Sequence, residues 1–209
     1  MPEGPVAVED VLPVLQGLSS LFVERATTQA AAEGRAVSCR AGCGACCRQL
    51  VPVAAAEARA LARLVEAMPE PRRSEVRRRF DQGLETLNAL GVLDRLDQDP
   101  ASRQAVGLDY FSAGVACPFL EDEACSIHPD RPLSCREYLV TSPPALCAEP
   151  SPDVQILKLE AHPSLALLQA DLRDGWVPLM LALVQDAQSP PSARDRDAAG
   201  ILGAVIGAL

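Results

Sequence analysis

The sequence predicts a mostly α-helical protein, a helical bundle interrupted by an irregular cysteine-rich double loop. Three observations predict it. Apolar residues make up 48% of the chain but aromatics only 3%, a balance of Ala, Leu and Val that suits helix packing better than a β-sandwich. Apolar positions recur at helical spacing over several long stretches. The eight cysteines are confined to residues 39–47 and 117–147, where the helical pattern lapses. With 209 residues the chain can bury one sizeable core. It is read as a single domain over 1–209, with metal-binding loops at 38–47 and 115–147. A helical insert at 53–96 separates the loops, and C-terminal helices occupy 154–209.

Val8, Val11, Leu12, Leu15, Leu18 and Phe22 fall on one helical face, so a first helix is expected from about 6 to 32. Pro5 suits its first turn and Gly34 its C-terminal stop. A second helix is expected after Pro52, carrying Leu61, Leu64, Val65 and Met68, and ended by Pro69 and Pro71. A third is expected from about Ser74, its cap, to Leu96. Val76, Phe80, Leu84, Leu87 and Leu90 form its buried stripe, and its alternating charges form a wet face. From Asp97 to about Pro152 prolines crowd the second cysteine set, and little regular structure is expected. So long an irregular stretch needs another source of order, which bound metal would supply. Val154 to Leu159 reads as a short strand or a helical turn. Leu165, Leu167 and Leu168 lead into a helix broken near Gly175, Trp176 to Val184 reads as a core helix, and Ala193 to Leu209 as a last one.

Composition limits the partners. A net charge of −9 argues against nucleic acid and against an anionic membrane surface. The one basic run, Arg72 to Arg79, is interleaved with Glu75 and follows Glu70, which marks a solvated helix face. No apolar leader segment follows Met1, and the longest apolar tract, Ile201 to Leu209, is too short to span a bilayer. The expectation is therefore a cytoplasmic protein with reduced thiols, in which clustered cysteines mean metal or redox chemistry more than a disulfide framework. The apolar stripe of the last helix could pack on the core or on a second copy in a homodimer.

The chemistry starts from Cys39-Arg-Ala-Gly-Cys43-Gly-Ala-Cys46-Cys47. Thiolates this close repel one another unless a soft cation neutralises them. Gly42 and Gly44 free the backbone around Cys43 to wrap such an ion. Consecutive side chains diverge, so Cys46 and Cys47 suit two different ions or a bridge. With Cys117, Cys125, Cys135 and Cys147 the sulfurs divide into two tetrahedral sites or one polynuclear cluster, of zinc or of iron. His128 could replace one sulfur. Arg131 and Arg136 flank Cys135, where their charge would offset that of a thiolate cluster or receive an anionic ligand. The carboxylates Glu121, Asp122 and Glu137 read as surface groups. Cys39-x3-Cys43-x2-Cys46 also has the spacing of a radical SAM loop, but it follows a helix, where that site follows the first strand of a barrel.

These residues carry a resemblance. Cys39…Cys43-Gly-Ala-Cys46-Cys47-Arg48, then Cys117-Pro-Phe-Leu120, then Cys125-Ser-Ile-His128-Pro-Asp-Arg131-Pro132-Leu-Ser-Cys135-Arg136 resemble the CxxCxxCC cysteine-cluster family, also called YkgJ-like. The likeness spans about residues 38 to 140, and the ordered set of three blocks is its most specific part. It implies zinc or iron held by Cys39, Cys43, Cys46, Cys47, Cys117, Cys125 and Cys135, with Arg131 and Arg136 in the closing RPxxCR motif. Cys147 lies outside the matching blocks and is added as the eighth ligand, because seven sulfurs leave a vacancy. The first gap here is three residues where the family name has two. A related group, the flagellin lysine N-methylases, pairs a similar cluster with methyl transfer, which keeps an iron–sulfur or SAM-dependent enzyme as one alternative. A metal-delivery or sensing module is another.

Overall fold

The computed structural model describes residues 4–96, 103–170, 175–184 and 196–209. Strand β1 (Pro5–Val6) pairs antiparallel with Arg196–Asp197 from the other end of the chain. A 3₁₀ turn, Val8–Val11, leads into α1 (Leu12–Ala32), which has Pro13 in its first turn. Gly34 ends α1 with φ +76°, while Arg35 N–H donates to the Ala30 carbonyl at 2.8 Å, the left-handed stop that glycine allows. Strand β2 (Pro52–Ala54) follows the first cysteine loop and runs directly into α2 (Ala55–Glu66). Then come α3 (Arg72–Ala89) and α4 (Arg103–Ser112). The hairpin β3 (Leu120–Glu121) and β4 (Ala124–Cys125) precedes the short α5 (Leu133–Glu137). The chain finishes with α6 (Pro163–Ala170), β5 (Trp176–Pro178) paired to β2, β6 (Arg196–Asp197) and α7 (Ala198–Ile206).

The architecture is thus mainly helical, with three two-stranded sheets among the described residues. No helix among them is long and apolar enough to cross a membrane. Of three apolar clusters among the described residues, a small one of Val6, Val11, Ala198 and Ile201 seats the last helix on the start of the chain, and two hold most of the helices. One joins α2, α3, α4 and the hairpin through Val65, Phe80, Leu87, Tyr110 and Phe119, with Phe80 and Phe119 edge to face at 5.5 Å. The other joins α1, α5, α6 and α7 through Leu12, Leu15, Leu133, Leu167 and Val205. Cys117 and Cys125 pack against the first cluster, and Cys135 lies just beyond Leu133 of the second. The cysteines therefore occupy the seam between the two. Burial of Glu9 is compensated by an ion pair with the equally buried Arg59, which ties the start of the chain to α2.

Several elements differ from expectation. Pro5 is a strand residue, not a helix start. Helix α3 begins before Ser74, because the Glu70 carboxylate accepts from the Ser74 N–H and hydroxyl and caps the turn from outside. It ends at Ala89, and Gly91 turns at φ +63°, leaving Leu90 56% exposed instead of buried. The stretch thought irregular contains α4, which buries Val106 and Tyr110 one turn apart; Gly107 between them masked the pattern. Residues 176–178 form a strand rather than the start of a helix, since β2 offers a partner and Pro178 supplies no amide hydrogen. The Val154–Leu159 stretch is strand-like, with Ile156 bridging Val140 and Leu157 N–H donating to Leu139. The last helix starts at Ala198, where Asp197 caps it by accepting from Gly200 N–H at 2.7 Å; the positions expected from 193 to 195 lie outside the described residues. The break expected before Gly175 falls at 171–174, also outside them.

Candidate metal centre

The first cysteine loop is strapped to the second at both ends. At its start, Ser38 N–H donates to the Val140 carbonyl at 2.9 Å and the Cys39 sulfur accepts from Val140 N–H at 3.4 Å. At its end Cys117 N–H donates to the Cys47 carbonyl at 2.7 Å, and the Arg48 guanidinium forks onto both oxygens of Glu123 at 2.6 and 3.0 Å. Glu123 sits in the tight turn of the β3–β4 hairpin with φ +57°, beside Asp122 at +49°. Gly44 is buried against that turn: a Cβ there would meet Glu123 Oε2 and Leu120 Cδ1 at 2.7 Å. The glycine is required by the close approach of the two loops, whereas Gly42, at φ +81°, is required by its backbone.

Cys135 arrives from the other side, on α5. The buried Glu57 of α2 accepts from Leu133 N–H at 2.8 Å and from Ala54 N–H at 3.0 Å, and Ser134 Oγ donates to the Pro52 carbonyl at 2.8 Å. Burial pushes the Glu57 carboxyl up to about 7, against the pull of those two amide hydrogens. Cys147 lies in the 3₁₀ turn Pro144–Ala148, which packs on the turn Ala45–Arg48.

All eight cysteines are free thiols brought into one electrostatic neighbourhood. Cys39 feels Cys46 and Cys43, and Cys147 feels Cys39, Cys43 and Cys46. Cys47 feels Cys46, Cys117 and Cys125, and Cys135 feels Cys117, Cys46 and Cys125. Cys46 belongs to both circles. Burial raises the thiols of Cys39, Cys125, Cys135 and Cys147, and lifts Cys117 to about 12. The Cys47 thiol donates to Cys46, which lowers Cys46 to about 7 while holding Cys47 protonated. Among the described residues, no three His, Cys, Asp or Glu side chains already stand as a finished metal-ligand set.

Arg131 faces this centre. Its charge lowers Cys39, Cys46 and Cys125, and its Nε is buried without a hydrogen-bond partner. Arg136 is turned the other way, donating to the carbonyls of Arg131, at 2.9 Å, and of Pro129. It shapes the loop that presents Arg131. His128 is exposed, and Arg131 depresses its pKa. Glu137, read from sequence as a surface carboxylate, is buried; it accepts from the Ser164 N–H and hydroxyl at the start of α6 and contacts His162 Nδ1 at 3.3 Å. Glu57 reaches back to Ala54 N–H as a local helix-start carboxylate, but its bond to Leu133, like that of Glu137 to Ser164, joins residues far apart in the chain and left no local mark.

The family model described as "Putative zinc- or iron-chelating domain", CxxCxxCC, matches residues 38–152. The chain belongs to the CxxCxxCC family. The match runs over both cysteine loops of this family member, includes Cys147, and takes in the helical insert between them. No curated protein and no solved structure matched the chain.

Proposed function

We propose that this CxxCxxCC protein chelates zinc or iron through Cys39, Cys43, Cys46, Cys47, Cys117, Cys125, Cys135 and Cys147, and that the metal locks the two loops together. What carries the reading is the convergence of eight thiols from residues 39 to 147 at one seam of the fold. Their overlapping circles suggest two groups of four, with Cys39, Cys43, Cys46 and Cys147 in one and Cys47, Cys117, Cys125 and Cys135 in the other, hence more than one ion. The orphaned Nε of Arg131 fits the same reading: thiolates in a loaded centre would accept from it, and its charge would offset theirs. A bound soft cation would supply the positive charge that turns these burial-raised thiols into thiolates. Movement of the thiols toward the ion would complete the ligand sets.

Elemental analysis and a visible spectrum of protein purified without oxygen test the proposal. Zinc or iron near two per chain is expected. A metal-free chain that refuses both ions and keeps its full thermal stability would overturn it. One observation favours a second reading, an iron centre acting on a substrate: an open cleft reaches Cys147. Brown protein with acid-labile sulfide would place that reading first. A colourless zinc protein whose metal exchanges readily with chelators would point to metal delivery.

A further inference from the structure

The chain has one Trp, two Tyr and four Phe. Its Trp176, together with Tyr138 and Phe111, lines a single cleft of about 910 Å³, the size of an ordinary small-molecule site. The three come from unlike places: β5, the end of α5 and the end of α4. Tyr138 and Gln49 stand together on its wall. Such a gathering in so aromatic-poor a chain is not explained by the core, which uses Phe80, Phe119 and Tyr110 instead. At the inner wall lies Cys147, 6% exposed, so the cleft ends on the thiol centre. At the rim, Glu149 is exposed and is the one charged side chain among the described lining residues; Ile156, 51% exposed, stands there too. A lone carboxylate in a cleft lined by aromatic rings selects positive charge on an apolar body, since the ring quadrupole and the carboxylate both attract a cation, and neither attracts an anion.

We infer that this cleft binds a small organic cation with an apolar stem, such as a primary alkylammonium, seated with its stem among Trp176, Tyr138 and Phe111 and its charge at Glu149. The site places that ligand beside Cys147 whichever metal the thiols hold. It stands independently of the metal reading.

Trp176 reports occupancy directly, being the only tryptophan. Its emission is followed in the full chain, as purified, during titration with n-hexylammonium, 1-hexanol and hexanoate at one neutral pH. The ammonium is expected to bind about tenfold more tightly than hexanoate. Glu149→Gln should erase that preference, and Ile156→Asp, which adds a second carboxylate at the rim, should enlarge it. A gain of selectivity in the second variant is not something misfolding can produce. Equal affinity for the cation and the anion, an emission unmoved by hexylammonium, or selectivity unchanged in both variants would overturn the inference. Elemental analysis of the same samples reports separately on the metal, so the two readings fail in different ways.

Discussion

Cys46 and Cys47 are chemical neighbours with opposite electrostatic fates. One thiol donates to the other, so the proton of the pair rests on Cys47 while Cys46 is eased toward the thiolate. Cys46 also feels thiols of both circles, whereas Cys147 feels only Cys39, Cys43 and Cys46. Cys46→Ser should therefore strip more metal than Cys147→Ser, as read by elemental analysis; equal losses would mean that Cys46 serves one group of four and not both. The raised thiols also fix the sign of a pH effect. Each must lose a proton before it can ligate, so zinc affinity should climb with pH by roughly tenfold per thiol per unit. Competition with a chromophoric chelator between about pH 6 and 8 checks this, and a flat profile would sink it. At Glu57 the sign is reversed. Its folded pKa, about 7, lies above the ordinary carboxylate value, so the stability it contributes is complete below about 4.5 and is lost as pH rises through 7. Relative to Glu57→Gln, wild type should lose up to about 1.4 kcal/mol per pH unit across that window in denaturant titrations. A constant difference would show that the two amide hydrogens keep Glu57 ionised.

Between elements, the decisive fit is that of the first cysteine loop to the β3–β4 hairpin. Gly44→Ala puts a methyl group against Leu120 and Glu123, including the Glu123 Cα at 3.3 Å, and backbone yields poorly. A loss of about 1–3 kcal/mol in thermal unfolding is expected, with weaker metal retention. Gly42→Ala meets no neighbour and should cost only the left-handed strain, about 1 kcal/mol. Were the two variants equally benign, the strap between the loops would not be structural. This level was only partly legible in sequence. The cysteine blocks and the helices α1, α2 and α3 were readable because their signals are local: spacing, period and prolines. Glu57, Glu137 and the aromatic cleft were not, because each is defined by a partner far along the chain. Likewise β5 was mistaken for helix, since a run of apolar residues does not disclose that β2 lies beside it.

Over the whole molecule, polar straps join the two cysteine loops at the seam between the apolar clusters. Metal should therefore be felt unevenly. Hydrogen exchange in residues 38–50 and 115–147 is expected to slow on metal binding, while α3, anchored by Val76, Phe80 and Leu87, should change little. Uniform protection of the whole chain would mean instead that the fold itself depends on the ion. The opposite end of the molecule carries a different consequence. Pairing of Pro5–Val6 with Arg196–Asp197 leaves only α7, about 14 Å of helix, between Pro5 and Gly207. A short bridge from Gly207 back to Pro5 would make a circular backbone of residues 5–207, and cutting it anew at the exposed Gly114 would put the second cysteine block ahead of the first. Because the straps join the loops across space, the permuted chain should build the same thiol centre from the reverse reading order.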